Sequence, residues 1–325
     1  MILIKTFIKL QTGFLVIAFM TLSALSQKQD ATTESKQVLW EPVNIAERDL
    51  FNGPGGQTMQ PALKEIQFFG RQTGGTQIKY RLKDGAGKEW VVKVGRETQP
   101  ETAAVRLLWA IGYPTEINYL VPSLEIKGSG NGAGIYKNAR FEARPDNIKR
   151  GDKWSWTSNP FVGTNEFEGL KLMMAIFNNW DIKDENTAIL NDGSAQYYII
   201  SDLGATFGKV PKESGGKSGR TVNKPEQYAQ SKFIRQVRDD VIELDYRGKA
   251  DNIIKTAKVE HGRWLADLLL QLSDRQIEDS FRAANYEPED VKLLAQAFKA
   301  RIAELDAATK PAETTGTTET KQTEQ

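Results

Sequence analysis

The sequence predicts an α+β chain built in two unequal parts: a small antiparallel sheet carrying one helix, then a larger, mainly helical part. Three observations predict it. Between Lys64 and Phe141, short runs with apolar alternation are separated by Gly-rich turns, the pattern of strands and hairpins. From Asn165 onward, apolar residues recur at three- and four-residue spacing, the pattern of helices with one buried face. Among these helical stretches lies a further hairpin, Thr187 to Leu190 and Tyr197 to Ser201. Its turn is Asn191-Asp192-Gly193-Ser194, where Asp-Gly supplies positive φ cheaply.

Composition narrows the function. The 325 residues carry 43 Lys+Arg against 42 Asp+Glu, so no overall field draws the chain to nucleic acid. A hydrophobic content of 39% suffices for one large or two modest cores. There is no Cys and one His, which nearly excludes a zinc site, thiol chemistry and disulfides. That residue, His261, falls in a helical pattern far from any nucleophile elbow and reads as a helix-surface residue.

Met1 to Ser26 reads as a signal peptide. Lys5 and Lys9 precede a short apolar run, Gly13 to Leu25, and Ala24-Leu25-Ser26 offers small residues for cleavage. The run is shorter than the ~20 residues a membrane span needs. The expected product is secreted or periplasmic, with no stable span after cleavage; an uncleaved anchor is the alternative. Residues 27–60 read as a lead-in segment, polar and flexible over Gln27 to Ser35. Asp49 to Gly56 reads as a loop without chemistry.

Residues 61–143 form the expected small lobe. Strands run over Ile66 to Phe69, Gln77 to Leu82 and Trp90 to Val94, with turns at Gly70 to Gly75 and Lys83 to Lys88. Lys93 shares a strand face with Val91 by the two-residue period. A cation there must be paired or near an anion, or else snorkel to water from a strand edge. Ala104, Leu107, Leu108 and Ile111 predict a helix that Gly112 ends. Glu101, near its inward face, is the candidate partner of Lys93. The competing reading is a capping box, Thr98-Gln99-Pro100-Glu101. Two more strands, Ile117 to Ile126 and Ile135 to Phe141, flank the turn Gly128 to Gly134.

Residues 144–306 form the expected large lobe. Asp152 to Gly163, with Trp154 and Trp156, reads as a lid or a packed loop. Leu170, Met173, Met174 and Phe177 stripe a helix over Asn165 to Asn178 that delivers the chain to Asp181. After a Lys-, Gly- and Ser-rich loop, Ala205 to Gln227, the stretch Phe233 to Leu244 reads as a mixed helix. Its Arg235, Arg238, Asp239 and Asp240 make a solvated face. Lys255 to Leu272 is amphipathic, Ser273 to Gln276 caps the next helix, and Asn285 to Pro288 breaks it. Val291, Leu294, Phe298, Ile302 and Leu305 stripe a last helix. Residues 307–325 are Thr/Glu-rich and read as a disordered tail.

The hairpin carries the chemistry. It places the start of its first strand beside the end of its second, so Asn186 and Asp202 meet at one mouth. Asp181, Lys183 and Asp184 lie in the loop feeding it. Hard oxygen donors around an open position suit Mg²⁺ carrying phosphates. Here the chain resembles the protein-kinase superfamily. Asp181-Ile-Lys183-Asp-Glu-Asn186 resembles the catalytic loop, Asp202-Leu203-Gly204 resembles Asp-Phe-Gly, and Val91-Val92-Lys93 within Trp90 to Val94 resembles the end of Val-Ala-Ile-Lys.

The resemblance implies a two-lobed protein-kinase-like fold. It implies Lys93 on the α/β-phosphates of ATP, paired with Glu101. Gly70, Gly74 and Gly75 would sit in a flap over the phosphates, although their spacing departs from G-x-G-x-x-G. Glu142-Ala143-Arg144-Pro145 would be the hinge that reads adenine. Asn186 and Asp202 would hold Mg²⁺ or Mn²⁺, Asp181 would take the proton of the acceptor hydroxyl, and Lys183 would steady the transferred phosphoryl. Two departures stand out. The link from Lys93 to Glu101 is short, and Asn179-Trp180 replaces the usual His-Arg, removing the clamp for a phosphorylated loop. The function implied is exported phosphoryl transfer from ATP to a hydroxyl of a protein, lipid or small molecule. The alternatives are an inactive pseudokinase that binds nucleotide or acts as a scaffold, and an adhesive exported protein.

Overall fold

The computed structural model describes residues 35–72, 77–127, 133–210 and 219–311. The expected signal peptide, Gly74 and Gly75, part of the Lys-, Gly- and Ser-rich loop and the end of the expected tail lie outside them. The lead-in is packed from Lys36 on. Strand β1 (Lys36–Val38) opens it, and Val38, Leu39, Ile45 and Leu50 are buried. The rest of this segment is three single 3-10 turns, Ile45–Glu47, Gly53–Gly55 and Gln57–Met59, joined by irregular chain, and side-chain donors supplement its backbone hydrogen bonds. Gln276 donates to Ile45 O (2.7 Å) and Arg48 O (3.0 Å), and Tyr119 Oη to Gly56 O (2.7 Å). Gly55 is required by this contact, because a Cβ there would lie 2.1 Å from Tyr119 Oη.

The small lobe holds β2 (Gln67–Gln72), β3 (Ile78–Lys83), β4 (Glu89–Val94), helix α1 (Thr98–Ala110), β5 (Asn118–Ile126) and β6 (Gly134–Ala143). The strands form one antiparallel sheet in the order β2-β3-β4-β6-β5. The two-residue period sorts its faces. Tyr80, Leu82, Trp90, Val92 and Phe141 share one apolar cluster, which leaves Val91, Lys93, Arg140 and Glu142 for the other face. Asp84 builds the β3–β4 turn by accepting the N–H groups of Ala86 (2.9 Å), Lys88 (3.0 Å) and the Trp90 indole (2.9 Å). Helix α1 starts at Thr98 without a capping box: Glu97 is its N-cap residue, and the Thr98 hydroxyl donates to Gly95 O (2.9 Å).

The large lobe follows with β7 (Lys149–Arg150), α2 (Asn165–Ile176), β8 (Thr187–Asn191), β9 (Ala195–Ile200), α3 (Pro225–Gln230), β10 (Ile234–Arg238), β11 (Val241–Leu244), α4 (Asp251–Ile254), β12 (Thr256–Lys258), α5 (Val259–Leu269), α6 (Asp274–Arg282) and α7 (Pro288–Thr309). The architecture is therefore α+β and two-lobed, with elements in the order that the kinase resemblance implies. The β8–β9 hairpin forms as expected, and β1 pairs alongside β9 in parallel. Trp154 and Trp156 are buried against Phe167, so their segment is a packed loop. Among the described residues no helix is long and apolar enough to cross a membrane.

Three expectations are corrected. Residues 234–244 are a β-hairpin, not a helix. Asp239 (φ 49°) and Asp240 (φ 63°) both adopt the left-handed conformation that a tight hairpin turn demands, and Ile242 and Leu244 fill the core. His261 is buried, with Nδ1 2.7 Å from Asn165 Oδ1. The start of the expected tail belongs to α7, whose Thr309 is buried and hydrogen-bonds to Leu305 O (2.7 Å). The sequence also left Arg301 unremarked. It is buried and donates to Ile176 O (3.1 Å) and Ser231 Oγ (2.8 Å), placing a cation at the carbonyl end of α2.

Candidate active site

The mouth of the β8–β9 hairpin positions the first group of residues. Thr187 pairs with Ile200, and Ser201 N donates to Asn186 O (2.8 Å), so Asn186 and Asp202 sit on adjoining strand ends. The loop before β8 is folded on itself. Asn178 (φ 54°) ends α2, Ile182 is buried as an anchor, and Asn179 Oδ1 accepts Asp181 N (3.1 Å). Asn186 Nδ2 donates to Asp181 O (2.7 Å) and reaches Asp181 Oδ2 at 3.3 Å. With its nitrogen committed there, the amide has its oxygen left as a ligand for a cation.

Asp181 is held from two sides. Lys183 Nζ lies 2.9 Å from Oδ2, and Lys249 makes a close ion pair with Oδ1. Burial works to raise the Asp181 pKa, but the hydrogen bonds from Lys249 and Lys183 outweigh it and hold the carboxyl below its ordinary value. Burial likewise works to lower Lys183, and Asp181 wins, keeping that ammonium above its ordinary value.

Lys93 is the hub of the second group. Its Nζ lies 2.9 Å from Glu101, 3.1 Å from Glu97 and 3.4 Å from both oxygens of Asp202. The expected Lys93–Glu101 pair is formed, and the capping-box and snorkelling readings fall with it. The short link suffices because α1 begins four residues after β4 ends and Glu101 lies in its first turn. Lys93 is only 3% exposed, whereas the Asp202 side chain is 33% exposed. Burial works to lower the Lys93 pKa, but Glu101, Asp202 and Glu97 hold it well above its ordinary value. For Asp202 burial works upward, and Lys93 and the Gly204 N–H hold it below.

Behind Lys93 the ion pairs continue into the expected hinge. Arg140 Nη2 lies 3.4 Å from Glu101 and 3.3 Å from Glu116, and Nη1 2.8 Å from Glu142. Arg144 closes on Glu142, and Arg150 on Glu116. Beside this cluster a cavity of about 90 Å³ is lined by Ile117, Ala143, Pro145, Ile148 and Leu190. The expected flap fares differently. Gly70 lies within β2, at a bulge opposite Arg81, because the strand runs three residues beyond Phe69. Gly74 and Gly75 fall outside the described residues.

Glu116 carries a testable consequence. Its burial and the neighbouring Glu142 carboxylate push its pKa up to about 7, against the pull of Arg150 and Arg140. Burial works upward on Glu142 as well, but Arg140 and Arg144 keep it well below the carboxylate range. A carboxyl raised in the folded state favours folding while protonated, and that contribution is lost as pH rises from about 4.5 through about 7. Glu116→Gln should therefore match the parent in Tm near pH 5 and exceed it near pH 8. Scanning calorimetry across that range checks this, and a Tm difference independent of pH would contradict it.

The residues that could hold a divalent cation are few. Among the described residues no group of three or more Asp, Glu, His or Cys side chains stands ready for a metal. With Asp181 engaged by Lys183 and Lys249, the mouth offers the Asp202 carboxylate and the Asn186 amide oxygen as ligands. That fits Mg²⁺ or Mn²⁺ bound chiefly through water and phosphate oxygens.

Sequence reasoning missed Glu97, Arg140, Lys249 and a clasp of amides between the lobes. Arg140 escapes the argument used for Lys93, because the residues that share its face of β6, Asn138 and Glu142, are polar and alternate with apolar Ala139 and Phe141 as on a solvated face. Lys249 is 68 positions from Asp181 and carries no local signal. The clasp joins α1 and β6 to the large lobe. Gln99 Nε2 donates to Asn285 O (2.9 Å), Asn285 Nδ2 to Asn138 Oδ1 (2.7 Å), and Asn223 Nδ2 to Gln99 Oε1 (3.2 Å), while Tyr286 Oη holds Asn223 Oδ1 (2.6 Å). Asn138, Asn223 and Asn285 all have positive φ, which Asn tolerates better than most residues.

No protein-family description matches the chain, and no curated protein matches it. Among solved structures, the chain is similar to the Helicobacter pylori proinflammatory kinase CtkA. Identity is 10%, coverage 77% of this chain and 96% of that one, and the TM-score 0.47. It is also similar to the Golgi casein kinase, at 10% identity, 77% and 73% coverage, and a TM-score of 0.40. A form of that kinase with Mn/ADP bound gives 0.41. At this level of likeness, the functional reading rests on the geometry of the site itself.

Proposed function

We propose that the chain is a phosphotransferase that moves the γ-phosphoryl of ATP to a hydroxyl with the help of Mg²⁺ or Mn²⁺. The observation that carries this is the meeting of Asp202, Asn186, Asp181 and the buried Lys93–Glu101 pair around one hairpin mouth. A divalent cation held by Asp202 and Asn186 would supply neutralisation of phosphate charge. Asp181 accepts a hydrogen bond from the acceptor hydroxyl. As the new oxygen–phosphorus bond forms and the bond to the ADP oxygen breaks, the hydroxyl proton passes to the Asp181 carboxylate. The lowered pKa of Asp181 makes it a weak base, so it takes the proton late. Lys183, beside it, is assigned to the transferred group. The reading includes export through the 1–26 leader to the periplasm or beyond the cell, and an acceptor that is a protein, lipid or small molecule.

One observation favours the second reading, a nucleotide-binding protein without transfer: Lys183 and Lys249 both occupy the carboxylate of Asp181. Transfer of labelled phosphate to a panel of protein, lipid and sugar acceptors separates the two. The phosphotransferase reading expects transfer that Asp181→Asn lowers by about 100-fold or more, with ATP binding retained. Metal-dependent ATP binding without transfer to any acceptor would favour the second reading.

A further inference from the structure

We infer that Lys79, on β3, is a phosphate-binding residue of this site and that Lys93 serves mainly to hold the carboxylates in place. The inference rests on the phosphotransferase reading. Lys79 is the direct cross-strand partner of Lys93. Opposed residues of an antiparallel pair project on the same face, so two ammonium groups share the face of the sheet that looks on Asp202. Like charges placed directly opposite are destabilising unless something anionic lies between or above them. Lys93 has its anions: Glu97, Glu101 and Asp202 surround it, and it is almost wholly buried. Among the described residues no carboxylate lies within ion-pair distance of Lys79, which is half-buried.

The charge balance points the same way. Lys93 is shared among Glu97, Glu101 and Asp202, and Arg140 behind it among Glu101, Glu116 and Glu142, so neither cation has charge to spare for polyphosphate. Lys183 is engaged by Asp181. Among the described residues, Lys79 is the cation of this sheet face without a carboxylate partner. It stands one strand away from Lys93, toward β2.

Equilibrium binding of adenosine, ADP and ATP, each with Mn²⁺, to the full chain tests this. Lys79→Gln should weaken ATP and ADP by about tenfold or more, the scale of one hydrogen bond to a charged group, and leave adenosine unchanged. Lys79→Arg should restore the affinity. The Tm of Lys79→Gln without nucleotide should equal or exceed that of the parent, because a like-charge pair has been relieved. Unchanged ATP and ADP affinity in Lys79→Gln, with the parent binding normally, would overturn the inference alone. A parent that binds no nucleotide would overturn the phosphotransferase reading and this inference with it.

Discussion

Asp202→Ala is expected to abolish metal-dependent ATP binding while leaving the fold intact. Asp202 is a carboxylate at the hairpin mouth beside Asn186, with its side chain one-third exposed and paired with Lys93. Without it, the candidate metal position keeps a single amide oxygen, too little to hold a dication and its phosphates. The fold should survive because Lys93 retains Glu101 and Glu97 as partners. Thermal unfolding with Mn²⁺ and ATP reads the effect. At ligand a hundredfold above Kd the parent gains about 2.7 kcal/mol, and the variant should gain nothing. A shift retained in Asp202→Ala would place the metal elsewhere.

The second large effect is on stability. Arg140→Met should destabilise the chain by about 3 kcal/mol, the cost of removing the cation that three buried carboxylates share and leaving them Lys93, Arg150 and Arg144 as partners. Arg140 is buried, and Glu101, Glu116 and Glu142 all converge on it. A methionine fills much of the volume but answers none of the three carboxylates. The loss should shrink as pH falls, since protonation removes the charges that Arg140 compensates. Urea unfolding at neutral and at acid pH measures both features. A loss below about 1 kcal/mol at neutral pH would show that these carboxyls are neutralised without Arg140.

What the sequence made legible is what local patterns encode. The β8–β9 hairpin was readable because Asp192-Gly193 is a turn signal between two apolar runs, and it brought Asn186 and Asp202 together unaided. Lys93 was readable because a cation on the inward side of a strand demands an anion. Glu101 could not be separated from a capping residue by spacing alone. The structure decides for Lys93 because Glu97 occupies the N-cap position and the Thr98 hydroxyl turns back to Gly95. Residues 234–244 misled because the spacing of their apolar residues suits a helix as well as two short strands. The deciding term was tertiary, the burial of Ile242 and Leu244 together with the left-handed turn at Asp239 and Asp240. His261 and Thr309 looked exposed for a similar reason: the surfaces that cover them come from elements distant in the chain. Lys249 and the clasp of Asn138, Asn223 and Asn285 depend wholly on such contacts and leave no periodic trace.

Electron paramagnetic resonance of Mn²⁺ tests the central claim most directly, because it reports the ligands of the ion itself. With ATP and the parent protein, the Mn²⁺ spectrum should differ from that of Mn²⁺ and ATP alone. The change should vanish in Asp202→Ala and weaken in Asn186→Ala. A spectrum that the protein leaves unaltered, or a change that survives Asp202→Ala, would contradict a dication clasped at the mouth of this hairpin.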